Sequence, residues 1–443
     1  MKHLLKTLLV LAAIQLLPAA ESVPTYSKDI APIFQEKCDE CHRPNTVAPF
    51  SLLDYKSTRP WVKSIKEKVV SRQMPPWQLD RNVGIQHFKN DPSLTDAQVD
   101  LIAKWADAGA PEGNPKDLPP ALKFTDDNDW KAAQVMGRQP DMVISSSPYV
   151  MDAHSQDQWW KPLADIPVTE PRWVKAVEIR PGTIAGRKIT HHALAHLVQT
   201  DPEAEKYSDP LGDGRSPNEA GTLMEWAVGK SYDIYADDTG KLVLPGSHVW
   251  WDIHYHASGE TVKDHVELGI WFYPKDKAPT HRVFLTGFQS TSRIGTRLDI
   301  PPNSVVTQDG YTVLKAAAKL QNFQPHLHLR GKAMTIEAIL PSGEIQTISS
   351  VDRFEFNWMT NYIYEDEYQP VLPKGTVIHV TSVYDNTAAK KSNPDPNQWV
   401  GWGDRTVDEM GHAWVNVVYI SDDEYNKWAA EHKTDKRKQN TGN

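Results

Sequence analysis

The sequence predicts a mainly β protein, with two tandem β-sandwich, jelly-roll-like domains that follow a small all-α domain. Strand-like runs separated by Gly, Pro and Asp turns fill most of the chain. Proline, with 33 residues, outnumbers glycine, with 24, as is common in turn-rich β proteins. The helical patterns fall near the amino terminus, and long helices are scarce elsewhere.

These patterns divide the 443 residues into six segments. We expect a signal peptide at 1–20, the helical domain at 25–112, a linker at 113–140, β-sandwich domains at 141–283 and 284–425, and a polar tail at 426–443. The runs expected to form strands are Trp173–Ile179, Ala193–Val198, His248–His256, Val266–Phe272, Met334–Leu340, Thr376–Tyr384 and Ala413–Ile420.

The amino terminus has the order of a secretory signal. Lys2 and Lys6 precede the apolar run Leu8–Leu17, and small residues follow at a cleavage point. The alternative is a membrane anchor, but the run is shorter than the roughly 20 residues that span a bilayer. We therefore expect a periplasmic or secreted protein without stable membrane insertion after cleavage. A formal net charge of −9 disfavours nucleic acid as a partner.

The two cysteines of the chain form one motif, Cys38-Asp-Glu-Cys41-His42, the C-x-x-C-H pattern of covalent haem attachment. Two thiols one turn apart can add to the two haem vinyl groups, and the histidine can then bind the iron. A zinc or redox pair is the alternative interpretation. The segment Tyr26–Lys37 before the motif predicts an amphipathic helix.

Met74 is the candidate sixth ligand of this haem, held in a loop that two prolines stiffen. A thioether ligand raises the haem potential. His87 is the competing ligand, and a core position for Met74 is also possible. A closing helix is expected at Thr95–Ala108. Residues 25–112 therefore resemble a small class I cytochrome c.

Histidines form three clusters in the β region. They are His191-His192, His254-Tyr-His256 and His326-Leu-His328. Residues two apart on a strand face the same side, so each H-x-H pair can chelate one metal. Adjacent His191 and His192 face opposite sides of an ideal strand, and joint ligation would need a twist or a bulge.

Imidazoles without a thiolate suit zinc, copper, iron or nickel. A thioether that joins such a set favours copper, because soft sulfur stabilises Cu(I). Met410, in Asp408-Glu-Met-Gly-His412, is a candidate for that thioether. A blue-copper site would need a further cysteine, and none remains after haem attachment.

From about residue 145 to 420 the chain resembles the copper type II, ascorbate-dependent monooxygenases, which include dopamine β-monooxygenase and peptidylglycine α-hydroxylating monooxygenase. The motifs match in order and spacing. The resemblance implies a first set of ligands, for the copper called CuH, and a second set, for CuM. The first set is His191, His192 and His254, with His256 as the alternative third ligand; the second set is His326, His328 and Met410.

The resemblance also implies two β-sandwich domains with one copper each, separated by a solvent cleft. CuH would store and deliver an electron, and CuM, with the catalytic ligands His326, His328 and Met410, would bind dioxygen and attack a substrate C–H bond. Unlike the animal enzymes, this chain has no cysteines for disulfides and carries a fused haem domain. We expect His196, His248 and His412 to have supporting rather than ligand roles.

Three further positions depart from the peptide-amidating branch. That branch holds a substrate carboxylate with arginine, asparagine and tyrosine, where this chain has Gln324, His412 and Trp414. The missing cationic clamp argues against a glycine-extended peptide as substrate. Trp414 favours a larger, flatter or more apolar ligand.

The sequence therefore predicts a haem-fused copper monooxygenase with two coppers and one covalent haem c. We expect it to hydroxylate a C–H bond of a small organic substrate with dioxygen, using electrons that reach copper from the haem. A periplasmic donor would reduce the haem. The alternative, from another class, is a non-catalytic periplasmic protein that binds copper or transfers electrons.

Overall fold

The structure is a computed structural model that describes residues 23–44, 46, 48–124, 129–205, 219–227, 230–291 and 298–432. The expected signal peptide and the end of the expected tail lie outside the described residues. The chain divides into two compact units, one formed by Met1–Pro75 with Leu94–Phe124, the other by Pro76–Ser93 with Thr125–Asn443.

The first unit is helical in its described part. After a π-helical turn at Tyr26–Ile30, its α-helices are α1 (Ala31–Lys37), α2 (Tyr55–Thr58), α3 (Val62–Val70) and α4 (Asp96–Asp107), with short 3-10 turns at Arg59–Trp61 and Pro115–Asp117. The helices expected at Tyr26–Lys37 and Thr95–Ala108 are confirmed.

Helix α4 shows why these segments fold as the pattern predicts. Thr95 accepts the backbone N–H of Gln98, whose side chain accepts the backbone N–H of Thr95, so both ends of a capping box are present. The apolar face buries Ile102 and Trp105 completely, and both pack in the core of the first unit. Burial of this face contributes more to the stability of the helix than its intrinsic propensity does.

The second unit is mainly β, as expected. The α-helices among its described residues are α5 (Lys131–Met136), α6 (Pro202–Glu205) and α7 (Asp422–Glu431), with short 3-10 turns at Gly186–Lys188 and Asp366–Tyr368. The strands of its first half are β1 (Met142–Ser145), β2 (Tyr149–Met151), β3 (Gln158–Trp160), β4 (Leu163–Asp165), β5 (Arg172–Pro181), β6 (Thr190–Val198), β7 (Glu219–Ala227), β8 (Asp233–Ile234), β9 (Thr239–Val243), β10 (His248–Tyr255), β11 (Val262–Asp264) and β12 (Val266–Phe272).

The second half carries β13 (His281–Gln289), β14 (Asp299–Ile300), β15 (Val305–Val313), β16 (Ala317–Leu320), β17 (Asn322–Leu327), β18 (Gly331–Ile339), β19 (Ile345–Val351), β20 (Tyr362–Ile363), β21 (Val371–Leu372), β22 (Val377–Asp385), β23 (Val400–Gly401) and β24 (Gly411–Ile420). All seven runs expected to form strands overlap a strand of the structure. Among the described residues, no helix is long and apolar enough to cross a membrane.

Three larger sheets enclose two cores in this unit. An 11-stranded sheet has the path β1-β12-β5-β9-β13-β24-β16-β21, with β17 paired to β24. A five-stranded sheet, β3-β10-β6-β7 with β4, shares one core with the β12-β5 end of the large sheet. A four-stranded sheet, β15-β22-β18-β19, shares the other core with β24 and β17.

The large sheet continues through the expected domain boundary at 283/284. This boundary falls inside β13, which pairs in parallel with β9 of the first half and antiparallel with β24 of the second half. The strand β24 lies beside β13 and also pairs with β17. Backbone hydrogen bonding thus joins the two halves at the strands that carry or flank the expected copper ligands.

Residues 76–93, which the sequence places in the helical domain, pack within the second unit. Trp77, Leu79 and Phe88 are buried in the core that the four-stranded sheet shares. Leu79 forms an isolated bridge with Val351, at the end of β19. Burial of these apolar side chains removes them from water and explains the assignment of the segment to this unit.

Candidate metal centre

The first set of expected ligands lies on two neighbouring strands. In the five-stranded sheet β6 and β10 run antiparallel, and His192 is directly opposite His254. One ligand atom from each of His191, His192 and His254 lies within 4.8 Å of the others. Among the described residues this is the one group of three or more His, Cys, Asp or Glu side chains close enough to hold a metal ion.

A β-bulge brings both adjacent histidines into this group. The register of β6 against β10 shifts between His254, opposite His192, and Tyr255, opposite Thr190, so His191 is the extra residue. A bulge changes the direction of a side chain that regular pleating would send to the other face. As a result, the Nδ1 atoms of His191 and His192 lie only 3.0 Å apart.

His254 is oriented by a carboxylate and an indole. Its Nε2 lies 3.0 Å from an oxygen of Asp157, and the ring of Trp159 stacks on it at 4.5 Å. Because a carboxylate only accepts hydrogen bonds, the proton sits on Nε2. Within the described part of the chain the buried Nδ1 has no hydrogen-bond partner, and it carries the lone pair for a metal. Sequence reasoning missed Asp157, since no motif connects it to a histidine 97 positions away.

His256, the alternative third ligand, lies beyond the end of β10. Its ring centroid is 6.4 Å from that of His191, and its ring is outside the group of three close ligand atoms. The geometry therefore favours His254 over His256.

The second set is held by β17 and by the chain entering β24. His326 and His328 lie two residues apart with ring centroids at 5.5 Å, and both side chains are buried. In the pairing of β17 with β24, Leu327 is opposite Gly411. His328 directly follows Leu327 and Met410 directly precedes Gly411, so both adjoin the last pair of this register.

Hydrogen bonds between side chains and backbone tie the loop of Met410 to the H-x-H segment. The fully buried carboxylate of Glu409 accepts the backbone N–H groups of His328 at 2.9 Å and Arg330 at 2.6 Å. His328 donates its Nδ1–H to the carbonyl oxygen of Asp408 at 3.1 Å, so its Nε2 carries the lone pair. Glu409 was not anticipated from the sequence, although it is adjacent to the predicted ligand.

Burial keeps these imidazoles neutral near pH 7. Burial, together with the neighbouring histidines, lowers the pKa of His191 to about 3. Burial likewise lowers the pKa of His328 to about 4, and the pKa values of His192 and His326 lie well below the usual range for the same reason. A neutral imidazole has the free lone pair that a metal needs.

The two histidine sets are in contact. The rings of His192 and His326 meet edge to face, with centroids 6.3 Å apart and planes at 90°. The resemblance implies a solvent cleft between the two sets, whereas these rings form an edge-to-face pair.

The positions that correspond to the carboxylate clamp face the protein interior. Gln324 is completely buried and donates to the carboxylate of Glu225 at 2.5 Å. Trp414 is 8% exposed and forms a small buried cluster with Leu194 and Leu285. The expectation that Trp414 contacts a flat ligand therefore finds no support in its position. His412 stacks on His326 with ring centroids at 4.6 Å.

The C-x-x-C-H motif lies directly after α1 in the first unit. The backbone N–H groups of Cys41 and His42 both donate to the carbonyl of Cys38, which closes a tight turn. His42 donates its Nδ1–H to the carbonyl of Phe50 at 3.2 Å and so has Nε2 available for iron. Burial raises the pKa of the Cys38 thiol to about 12. These residues fit a covalent haem.

Met74 follows α3 in the same unit. It is half-buried, and its backbone N–H donates to the carbonyl of Lys68 at 3.1 Å. The competing candidate, His87, belongs to the second unit, where its ring stacks on Tyr368 at 3.6 Å and lies near Glu365. This contact engages the His87 ring and favours Met74 as the sixth ligand.

No protein-family model matches the chain, and no curated protein matches it. Among solved structures the chain is similar to PNGF-II, at 11% identity and a TM-score of 0.27, over 68% of this chain and 71% of that chain. It is also similar to the VP2 subviral particle of infectious bursal disease virus, at 8% identity and a TM-score of 0.19, over 67% of this chain and 75% of that chain. Likeness at these scores carries no inference about fold or function.

Proposed function

We propose that this protein is a periplasmic or secreted copper monooxygenase with a c-type haem as its internal electron donor. The observation that carries the proposal is the convergence of His191, His192 and His254 beside His326 and His328. Strands β6 and β10 supply three of these neutral imidazoles, β17 and the residue after it supply the other two, and such a set suits copper. Core packing does not require several unprotonated imidazole nitrogens grouped this closely, whereas metal binding does.

The two sets differ in which imidazole nitrogen is free to bind a metal. Asp157 holds the Nε2–H of His254, so this histidine binds through Nδ1, whereas the Asp408 carbonyl holds the Nδ1–H of His328, so that histidine binds through Nε2. In the proposed second set, Met410 would add a weak thioether ligand to the two imidazoles of His326 and His328. Copper bound there would supply one-electron redox chemistry and a binding place for dioxygen.

The overall reaction is balanced by two electrons and two protons. One C–H bond and one dioxygen molecule give one C–OH group and one water, and the two electrons arrive one at a time. A haem held by Cys38, Cys41, His42 and Met74 is a one-electron carrier whose thioether ligand gives a high potential, compatible with copper. A periplasmic donor would return the electrons to the haem.

The substrate in this proposal is a small organic molecule without a carboxylate that needs a cationic clamp. Where the peptide-amidating branch has arginine, the neutral side chain of Gln324 is buried against Glu225 and offers no cation to an anionic substrate. Neutral and cationic compounds are therefore the first candidates.

The test begins with metal analysis of the mature, copper-reconstituted protein, which should contain two coppers and one haem per chain. The reduced protein is then mixed with ¹⁸O-labelled dioxygen and a panel of neutral, cationic and carboxylate-bearing compounds. Incorporation of one labelled oxygen atom into a product supports the proposal. Copper that saturates at one per haem contradicts the two-set arrangement, and full loading without oxygen consumption favours the non-catalytic alternative.

A further inference from the structure

We propose that Phe356 joins the two histidine sets and excludes water from the space between them. This inference rests on the proposed function, because it concerns the same centre. Phe356 lies in the loop between β19 and β20, and neither the sequence patterns nor the resemblance assigns it a role.

The ring of Phe356 contacts one histidine of each set. It stacks on His191 with centroids 4.8 Å apart and planes at 18°, and it meets His328 edge to face at 6.2 Å. Both values fall in the range of favourable aromatic pairs. His191 belongs to β6 and His328 follows β17, so one side chain spans both halves of the second unit.

The position of Phe356 differs from that of its apolar loop neighbours. Phe354 and Met359 are 3% and 1% exposed and serve the core of the second half. Phe356 is only half-buried and borders that core, with its ring directed at the imidazoles. The loop therefore anchors itself through two buried side chains and presents a third to the histidine centre.

A phenyl ring has no hydrogen-bonding atom with which to hold water. Placed against His191 and His328, it takes up space beside both sets that water would otherwise occupy. Electrostatic interactions are stronger in a dry site, and an electron that crosses it moves without rearrangement of bulk water. Water in this space would also let dioxygen take electrons and protons without touching a substrate.

The test uses the full chain with its haem and copper. The variants are Phe356→Ala, which removes the ring, and Phe356→Leu, which keeps an apolar side chain in case the alanine variant folds poorly. Tyr311→Ala is the matched control, because Tyr311 stacks on His379 at 4.4 Å on another face of the protein. All four proteins are first compared for copper content, which should be unchanged.

The first measurement is the electron spin echo modulation that exchangeable deuterons produce at Cu(II) in D₂O. We expect deeper deuterium modulation in Phe356→Ala than in wild type, an intermediate depth in Phe356→Leu, and the wild-type depth in Tyr311→Ala. The second measurement mixes reduced protein with dioxygen without substrate. Two electrons and two protons convert one dioxygen to hydrogen peroxide, and its release should be faster in Phe356→Ala.

The outcomes separate this inference from the proposed function. If copper content is normal and Phe356→Ala matches wild type in either measurement, the role of Phe356 is overturned while the copper centre stands. If Tyr311→Ala changes as much as Phe356→Ala, the effect is not specific and the inference fails. If the wild-type protein binds no copper, the proposed function fails and takes the inference with it.

Discussion

Asp157 provides a sharp test of the first copper set, because one contact fixes the tautomer of one ligand. In Asp157→Asn the carboxylate becomes a neutral amide, whose carbonyl oxygen is a weaker acceptor for the Nε2–H of His254 and whose NH₂ group cannot accept it. The 3.0 Å hydrogen bond would be weakened or reversed, and Nδ1 would be less strongly favoured as the lone pair. Loss of such a partner of a metal-binding histidine weakens metal affinity by about 10–100-fold, or roughly 1.4–2.7 kcal/mol.

The assay is competition for Cu(I) between the protein and a chromophoric chelator, with the two sites resolved by their different affinities. We expect the weakening at one of the two coppers only. Asp165→Asn is the matched control, since Asp165 contacts His248 at 2.8 Å in an exposed pair remote from the three clustered ligands. Equal Cu(I) affinities of Asp157→Asn and wild type at both sites would refute the assignment of Asp157 as the orienting group.

Three other predictions address the second set, the apo protein and the haem. Met410→Ala should abolish oxygenation and spare the fold and the first copper, because a thioether is a weak ligand. X-ray absorption of the Cu(I) form of this variant should lose the sulfur scatterer. A wild-type protein without copper–sulfur scattering would exclude Met410 as a ligand. The copper-free protein should lose stability as pH falls from about 6.5 towards 4. His191 and His328 have pKa values lowered to about 3 and about 4, so the unfolded chain binds more protons across this window; thermal melts of apo protein measure the effect, and equal melting temperatures at both ends of the window would contradict it. Met74→His should lower the haem potential, because imidazole stabilises ferric iron more than thioether does; redox titration checks this, and an unchanged potential would show that Met74 is not the ligand.

Much of the fold could be predicted because its signals are local. The capping box at Thr95 and the apolar spacing of α4 are contained in about a dozen consecutive residues, and the structure has the helix there. Alternating burial along β22, from Val377 to Asp385, likewise follows from its own residues. The domain boundaries were harder to predict, because nothing in the sequence of β13 indicates that it pairs with both β9 and β24.

For the candidate site, too, the sequence predicts what neighbouring residues decide and does not predict what distant strands decide. The H-x-H spacing places His326 and His328 on one face of an extended chain, so this pair is readable from the sequence. The bulge that turns His191 towards His192 depends on the register of β6 against β10, which the two strands set together. The choice of His254 over His256 depends on the same register.

The sequence by itself determined which donor atoms this protein has and in what order: two thiols with a histidine, three histidine clusters and a methionine. Only the tertiary structure decided how they meet. Glu409 reaches His328 across 81 positions, and His192 touches His326 across the two halves of the second unit. Such contacts arise when separate sheets pack on a common core, and the free energy of that packing comes from apolar residues elsewhere in the chain. Local patterns therefore specify the ligands, whereas long-range packing specifies the centre that they form.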